Sequence, residues 1–180
     1  MAERKKFLYD ETPFDANRPF EVGGWRKLPE IVHDDFNIKG FFGDFCWLSN
    51  FGEAKVQLDG VMYTSVEIAY QAAKHAPQDR DYFLSCSSKE SITFNRENIA
   101  DFYTPEAWDG IKVVIMRYLL EQKYDPELNP EMAQKLLDTG TKYIEETNWW
   151  GDEFWGKSLN GEGLNTLGVL TMEIRDNLRT

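Results

Sequence analysis

The sequence is poor in cysteine and histidine, and this narrows the kinds of site that it can build. Its 180 residues include two cysteines, Cys46 and Cys86, and two histidines, His33 and His75. Two cysteines so far apart predict neither a disulfide framework nor a zinc knuckle, and two histidines cannot build a histidine-rich metal site. We therefore expect no metal ion, no cofactor and a reducing, cytoplasmic setting.

Long apolar runs and an excess of basic residues are also absent. No stretch has membrane-spanning length and no signal-peptide pattern is present, so we expect no membrane partner. The 31 acidic and 20 basic residues give a formal net charge of -11, which argues against a broad basic surface for duplex nucleic acid. An acidic protein can still engage one modified nucleotide, because the distribution of charge matters more than its sum.

The common catalytic signatures are missing too. The sequence has no Walker-type loop, no serine elbow and no HExxH pair, and the glycines of GEGLNTLG do not fit a dinucleotide fingerprint. Aromatic residues, in contrast, make up 14% of the chain and include six tryptophans. Large flat rings suit a core, and they also suit pockets in which a nucleobase stacks.

Hydrophobic residues make up 42% of the chain, enough for one domain with a real core. Periodicity and turn residues predict an α+β fold, mainly helical, with a small β-sheet and a long active-site loop rich in Gly and Trp. Residues 1–40 show no sustained period and predict an irregular N-terminal arm before a catalytic domain at 41–180. The predicted helices are 64–74, 79–85, 89–99, 108–123, 130–139 and 167–178; the predicted β-structure is a short strand within 41–51, a hairpin over 54–63 and a strand over 141–147.

The stretch TSVEIAYQAAK, residues 64–74, carries the most informative polar pattern. Thr64 is the predicted N-cap, and Glu67 three residues later completes a capping box. At about 100° per residue, Glu67, Gln71 and Lys74 fall on one stripe, which therefore holds an acid, an amide and an amine. A face of the helix that simply meets water explains the same stripe, and the helix alone does not decide between the two interpretations.

The second informative stretch is the loop NWWGDEFWGKSLNGEGLNTLG, which begins at residue 148. Loops of this length are usually functional or disordered, and its aromatic residues argue against disorder. Asp152 lies three residues before Trp155, and several glycines allow sharp turns or a close approach to a ligand. The alternative is a structural loop in which Asp152 and Asn165 bond to their own backbone.

Carboxylates, one well-placed lysine and aromatic rings suit cleavage of a glycosidic bond. Such cleavage needs a proton donor, a carboxylate beside the developing oxocarbenium ion and a positioned water. Four blocks of the chain together resemble the NADAR family, over about residues 41–178. In order, the blocks are FFGDFCWLSNF, TSVEIAYQAAK, the helix WDGIKVVIMRYLLEQKY, and LLDTGTKYIEET continuing into GDEFWGKSLNGEGLNTLGVLTMEIRDNL.

The resemblance implies a set of site residues at the positions that match the family motifs. It implies catalytic roles for Glu67, Lys74 and Asp152. Substrate-binding roles follow for Asn50, Gln71, Trp108, Trp155, Gly156, Gly163 and Asn165, with Gly168 as a further motif position. Two positions depart from the family pattern: Ile68 stands where members often have His, and Phe94-Asn95-Arg96 replaces a common Gly-Arg pair.

The resemblance also implies the reaction, the hydrolysis of a ribose-to-base N-glycosidic bond. The favoured substrate is ADP-ribosyl-guanine, free or in DNA, so that the enzyme would reverse ADP-ribosylation such as that made by DNA-modifying toxins. The first alternative is a phosphorylated ribosylamino-pyrimidine of riboflavin synthesis. A second alternative, a non-catalytic module that binds ADP-ribose or NAD, fits less well, because binding alone does not require Glu67, Lys74 and Asp152 together.

Two expectations concern geometry. Glu67, Lys74, Asp152 and Trp155 should line one cleft, although the two motifs lie far apart in sequence. Lys74 either holds a phosphate or a ribose hydroxyl, or attacks C1 of the opened ribose as an amine and forms a Schiff base, which requires a lowered pKa. The sequence leaves these two roles for Lys74 open.

Overall fold

The computed structural model of the protein describes residues 33–98 and 102–180. Their arrangement is α+β and mainly helical, as predicted. The strands are β1 (Asn37–Lys39), β2 (Glu53–Leu58), β3 (Val61–Ser65), β4 (Tyr143–Glu145), β5 (Thr147–Asn148) and β6 (Lys157–Ser158). The α-helices are α1 (Val66–Ala72), α2 (Ser88–Glu97), α3 (Pro105–Lys123), α4 (Pro130–Asp138) and α5 (Thr166–Asn177), and short 3-10 helices span Gly43–Leu48, Pro77–Asp79 and Asp81–Leu84.

The β-structure of the described residues consists of three two-stranded ladders rather than one sheet. The predicted hairpin is present: β2 and β3 pair antiparallel, and the turn residues Asp59 and Gly60 both have positive φ. Such a turn matches the twist of the flanking strands. The other two ladders are parallel, β1 with β4 and β5 with β6, so each joins segments that are distant in sequence.

Helix α1 lies at the centre of the molecule. All seven of its residues are buried, against the β2–β3 hairpin, α2 and α3. Its small residues Ala69 and Ala72 allow this close approach, and Leu119 and Leu120 of α3 are fully enclosed beside it. The polar stripe of α1 therefore does not face bulk water, which removes the solvated-face interpretation of the stripe.

The start of α1 differs from the prediction. Strand β3 continues through Thr64, which is exposed, and the N-cap is Ser65, whose Oγ accepts a hydrogen bond from the Ile68 backbone N–H at 3.2 Å. The predicted capping box of Thr64 with Glu67 is therefore wrong. Glu67 does not cap the helix, and its Oε1 accepts a hydrogen bond from the Gln71 amide instead.

Two further local predictions are also wrong. The expected strand within residues 41–51 is a 3-10 helix over Gly43–Leu48, and the helix expected over 79–85 is two separate 3-10 turns. Gly43 has φ of 54°, a conformation that a strand does not accept but a tight turn does. The 3-10 helix ends at Ser49, and this end places Asn50 against α1.

Most of the predicted N-terminal arm, residues 1–32, lies outside the described residues, so the division at residue 40 stays a prediction. Within the described ranges, no helix is both long enough and apolar enough to cross a membrane. Over the same ranges, no group of three or more His, Cys, Asp or Glu side chains is arranged to hold a metal ion.

Candidate active site

The polar stripe of α1 forms a continuous hydrogen-bonded chain. The Gln71 amide donates to Glu67 Oε1 at 2.6 Å, and Lys74 Nζ donates to Gln71 Oε1 at 2.7 Å. Glu67 and Gln71 are buried, whereas Lys74, just beyond the end of the helix, is half-buried. Gln71 thus connects the acid to the amine and fixes both, so the helix carries a pre-arranged acid–amide–amine set.

Three aromatic rings surround the outer end of this chain. Tyr70 lies 5.2 Å from Trp108 and 5.7 Å from Trp155, measured between ring centroids. Lys74 Nζ lies 5.2 Å from the centroid of Tyr70 and 5.6 Å from that of Trp108. The two tryptophans come from α3 and from the long loop, so distant parts of the chain meet at α1, as the single-site prediction requires.

Asp152 lies at the same place. Its charge acts on both Glu67 and Tyr70, raising the pKa of each. Its Oδ1 accepts the backbone N–H groups of Phe154 and Trp155 at 3.0 and 2.9 Å. The interpretation that Asp152 bonds to its own loop is therefore correct, and the same hydrogen bonds hold Trp155 against Tyr70. Asn148 supports the turn from beneath, accepting the backbone N–H of Asp152 at 3.0 Å.

Asn50 connects the 3-10 helix to α1. Its backbone oxygen accepts the Glu67 N–H at 3.0 Å, and its side-chain amide donates to Met116 Sδ at 3.4 Å. Its Oδ1 is buried and has no hydrogen-bond partner. An amide oxygen that is buried without a partner next to Glu67 is free to accept a hydrogen bond from a ligand.

The structure adds a residue that the sequence analysis missed, Lys123 at the end of α3. It is fully buried and its ammonium group donates to the carbonyl oxygens of Leu48 and Ser49 at 3.0 and 2.8 Å. These bonds fix the segment that carries Asn50. The signal was present: Lys123 lies three and four residues after Leu120 and Leu119, on the face of α3 that the sequence makes apolar.

Glu146, between β4 and β5, is the second missed residue. Its Oε2 is buried without a hydrogen-bond partner, and the charges of Asp152 and Glu67 both act on it. A sequence signal existed here too. Glu146 follows Ile144 by two residues, so in an extended chain it shares the inward face of that apolar residue. The described site therefore contains three acids, Glu67, Glu146 and Asp152, which we name the acidic cluster.

The remaining motif residues of the loop lie beneath this cluster. Asn165 is buried, with its Oδ1 accepting the Glu146 N–H at 3.0 Å and its Nδ2 donating to the Ile144 oxygen at 2.9 Å. A Cβ added at Gly156 would lie 2.3 Å from the Glu146 carbonyl oxygen, and one at Gly163 would lie 2.4 Å from the Gly156 oxygen. These residues let three segments approach closely; direct contact of Gly156, Gly163 or Asn165 with a substrate stays a prediction.

Burial controls the electrostatics of the site. It raises the pKa of Glu67, although the hydrogen bond from Gln71 and the charge of Lys74 oppose the increase. It lowers the pKa of Lys74, against the opposing charge of Glu67. It also raises the pKa of Glu146 to about 8 and lowers that of Lys123 to about 7. An acid that keeps its proton at neutral pH is suited to proton transfer, and an amine that releases its proton there is suited to attack on a carbonyl carbon.

Two of the positions that depart from the family pattern, Phe94 and Asn95, contact groups other than the acids of the cluster. Phe94 stacks on Tyr82 at a centroid distance of 4.2 Å, and Asn95 bonds to the His75 ring and to the Gln71 backbone oxygen. Two surface cavities of about 60 and 280 Å³ also lie elsewhere; the first includes Arg80 and the second Trp47 in its lining. Neither cavity has a residue of the acidic cluster in its lining.

Comparison with known proteins agrees with this arrangement. Residues 37–179 match the NADAR domain. The NMR structure of the E. coli protein YbiA superposes with a TM-score of 0.69 and 27% sequence identity, covering 82% of this chain and 88% of that one. A search of the curated proteins found no match. Because the matched region spans both motif-bearing segments and most of the chain, the protein belongs to the NADAR domain family.

Proposed function

We propose that the protein hydrolyses the N-glycosidic bond between a ribose and a nucleobase. The observation that carries the proposal is the acidic cluster, in which the enclosed carboxyl groups of Glu67 and Glu146 and the half-buried Asp152 lie beside an amine of lowered pKa. Like charges brought together in this way are costly, and a structural role does not require them. Membership of a family that includes N-glycosidases supports the same conclusion.

Hydrolysis of an N-glycosidic bond requires the site to perform three separate tasks. One group protonates the departing base, a carboxylate stabilises the positive charge on the ribose, and a carboxylate takes a proton from the attacking water. Glu67 is held by Gln71 and is the best-positioned carboxyl group for the ribose side of the reaction. Asp152 shares its Oδ1 with two backbone N–H groups, which leaves Oδ2 for a ribose hydroxyl or the water.

The aromatic rings suit recognition of the base. Trp108 and Trp155 flank Tyr70 and are both half-buried, so each keeps an exposed part on which a base can stack. A stack of this kind contributes roughly 1–3 kcal/mol per base. The favoured substrate is ADP-ribosyl-guanine, free or in DNA, and the phosphorylated ribosylamino-pyrimidine of riboflavin synthesis is the alternative that the experiment has to separate.

The test is a direct comparison of substrates. The full-length protein is incubated with ADP-ribosylated DNA, with ADP-ribosyl-guanosine and with the ribosylamino-pyrimidine phosphate, and the products are followed by liquid chromatography. We expect release of ADP-ribose from the first two. Release of ribose phosphate from the third compound alone would identify the ribosylamino-pyrimidine as the substrate. Tight binding of ADP-ribose without release of any product would show that the protein is a binding module and not an enzyme.

Lys74 permits a sharper test of the mechanism. Its lowered pKa and its position beside the rings of Tyr70 and Trp108 favour attack by a neutral amine on C1 of the opened ribose. Borohydride added during turnover should then reduce the Schiff base and leave a sugar covalently attached to the protein. Lys74→Ala should abolish both the adduct and turnover, whereas Lys55→Ala, at an exposed position of β2, should abolish neither. Near-normal turnover by Lys74→Ala would reduce the lysine to a binding role.

A further inference from the structure

The backbone of Glu146 is held from two sides by residues of the long loop and the start of α5. Its N–H donates to Asn165 Oδ1 at 3.0 Å, and its carbonyl oxygen accepts the Lys157 N–H at 2.8 Å. Gly156 approaches the same carbonyl so closely that no other residue fits there. Two motif residues to which the resemblance gives substrate-binding roles, Asn165 and Gly156, are thus seen to position Glu146.

One side-chain oxygen of Glu146 has no hydrogen-bond partner among the described residues. Its Oε2 is buried and unpartnered, although the other two acids of the cluster have side-chain hydrogen bonds, Glu67 from Gln71 and Asp152 from the backbone. A buried carboxyl oxygen without a partner is destabilising, and such groups call for an explanation. A proton delivered to a substrate at this oxygen is such an explanation.

The charges around Glu146 come from three elements. Asp152 on the loop and Glu67 on α1 disfavour its ionised form, as does burial, while Lys123 on α3 favours it. Burial is the largest of these effects, and together they raise the pKa of Glu146 to about 8. A general acid works best when its pKa lies near the working pH, and at neutral pH this carboxyl group retains its proton.

We infer that Glu146 is the general acid of the site, a role that rests on the proposed function. Its O–H donates the proton to the base nitrogen as the C1–N bond breaks, and the electron pair of that bond stays with the nitrogen. The ribose cation is stabilised by Glu67 and then takes up a water. In the route through Lys74, the ribose ring opens first and its oxygen takes up a proton; the amine then adds to C1 and releases a proton, loss of the base protonated by Glu146 leaves the Schiff base, and water hydrolyses it. The proton that the water releases passes to a carboxylate of the cluster, and from there it restores Glu146.

The test compares Glu146→Gln with Glu145→Gln on whichever ribosyl substrate the wild-type protein cleaves. Glu145 directly precedes Glu146, but its side chain accepts a hydrogen bond from Thr147 and lies near Lys157. Glu145→Gln therefore controls for the loss of one acid from this segment. We expect kcat to fall roughly 10²–10⁴-fold in Glu146→Gln, with KM little changed, and to stay near normal in Glu145→Gln. Glu146→Asp should restore part of the lost kcat.

The pH profile separates this role from a structural one. Wild-type kcat should decrease as pH rises through about 8, because Glu146 then loses its proton, and this decrease should be absent from the residual activity of Glu146→Gln. Full turnover by a folded Glu146→Gln would overturn the inference while leaving the proposed function intact. An inactive wild-type protein on all three substrates would instead overturn the proposed function.

A readout without substrate keeps the inference testable if Glu146→Gln fails to fold. In full-length protein with ¹³C-labelled glutamate, one carboxyl signal should titrate near pH 8. Glu146→Asp should remove that signal, and Glu145→Gln should retain it. If every glutamate carboxyl group titrates near the ordinary value of about 4.3, Glu146 is not protonated at neutral pH and the inference is wrong.

Discussion

At the scale of single residues, Glu146 and Lys123 carry much of the desolvation free energy that the site costs the folded protein. Each is an ionisable group taken out of water, and each interacts with the other's charge. Replacing such a pair with apolar residues is often neutral or stabilising, so stability alone does not explain its presence. Lys123 has one evident task, because its bonds to Leu48 and Ser49 fix the segment that carries Asn50.

The buried pair predicts an unusual dependence of stability on pH. Glu146 is protonated up to about pH 8 in the folded protein but ionises at its ordinary, lower pH when unfolded. The folded state then binds more protons, so the free energy of unfolding should decrease as pH rises toward 7. Lys123 releases its proton near pH 7 when folded but only near 10.5 when unfolded, so above about 8 the free energy should increase again.

Urea unfolding at a series of pH values measures this curve. Each group should contribute a slope of up to about 1.4 kcal/mol per pH unit within its window. The double variant Glu146→Gln, Lys123→Met should flatten the curve, although Glu67 and Lys74 still contribute with the same signs. A wild-type curve that is flat between about pH 5 and 10 would show that neither group of the pair is perturbed.

At the scale of secondary structure, strand β3 passes directly into helix α1 at Ser65. The residue closes the β2–β3 ladder opposite Glu53, and its hydroxyl caps the helix. The same hydroxyl bonds to Ser88 Oγ at 2.9 Å, at the first residue of α2. One side chain therefore joins the hairpin and the two helices α1 and α2 at the point where Glu67 enters the site.

Removing the cap should be measurable. Ser65→Ala should lower the free energy of unfolding by about 1 kcal/mol, the typical cost of losing an N-cap hydroxyl. Thr64→Val is the matched control, because it removes a hydroxyl from the neighbouring exposed position and keeps a β-branched side chain. It should change stability by less than about 0.5 kcal/mol. If Thr64→Val lowers the free energy of unfolding more than Ser65→Ala does, in thermal or urea unfolding, then Thr64 is the N-cap.

The same element shows which features the sequence could predict. Helix α1, its polar stripe and the Asp59-Gly60 hairpin were predictable, since periodicity and turn residues are local signals. The exact cap was not, because Thr64 and Ser65 are both good caps and the choice depends on how far β3 pairs with β2. Glu146 and Lys123 were missed because their importance arises from contacts between α1, α3 and the loop, which no local pattern encodes.

At the scale of the whole molecule, the negative charge is unevenly distributed along the chain. Residues 1–32 contain six basic and six acidic residues, so the net charge of -11 belongs to the remainder of the sequence. A net charge of this sign disfavours the general affinity for nucleic acid that clustered cations provide. Under the proposed function, recognition of a ribosylated base in DNA must then come from the modified nucleotide itself.

Binding to unmodified duplex DNA should accordingly be weak. Measured by fluorescence anisotropy near physiological salt, the dissociation constant should exceed the roughly 10⁻⁴–10⁻⁶ M of proteins that bind DNA without sequence preference. The same duplex carrying one ADP-ribosyl-guanine should bind more tightly to an inactive variant such as Lys74→Ala. Tight binding to the plain duplex, weakening steeply with added salt, would reveal a cationic surface and contradict the prediction.

The pairing of β1 with β4 has a consequence for how the protein acquires the proposed activity during synthesis. Asn37 finds its partner, Tyr143, only after helices α1 to α4 have been synthesised, and Glu146 follows three residues behind that partner. Contacts between such distant segments form slowly, because closing a long loop costs conformational entropy before the contacts stabilise the fold. We therefore expect nascent chains on the ribosome to remain catalytically silent until α5 has emerged, so that activity arrives in a single late step.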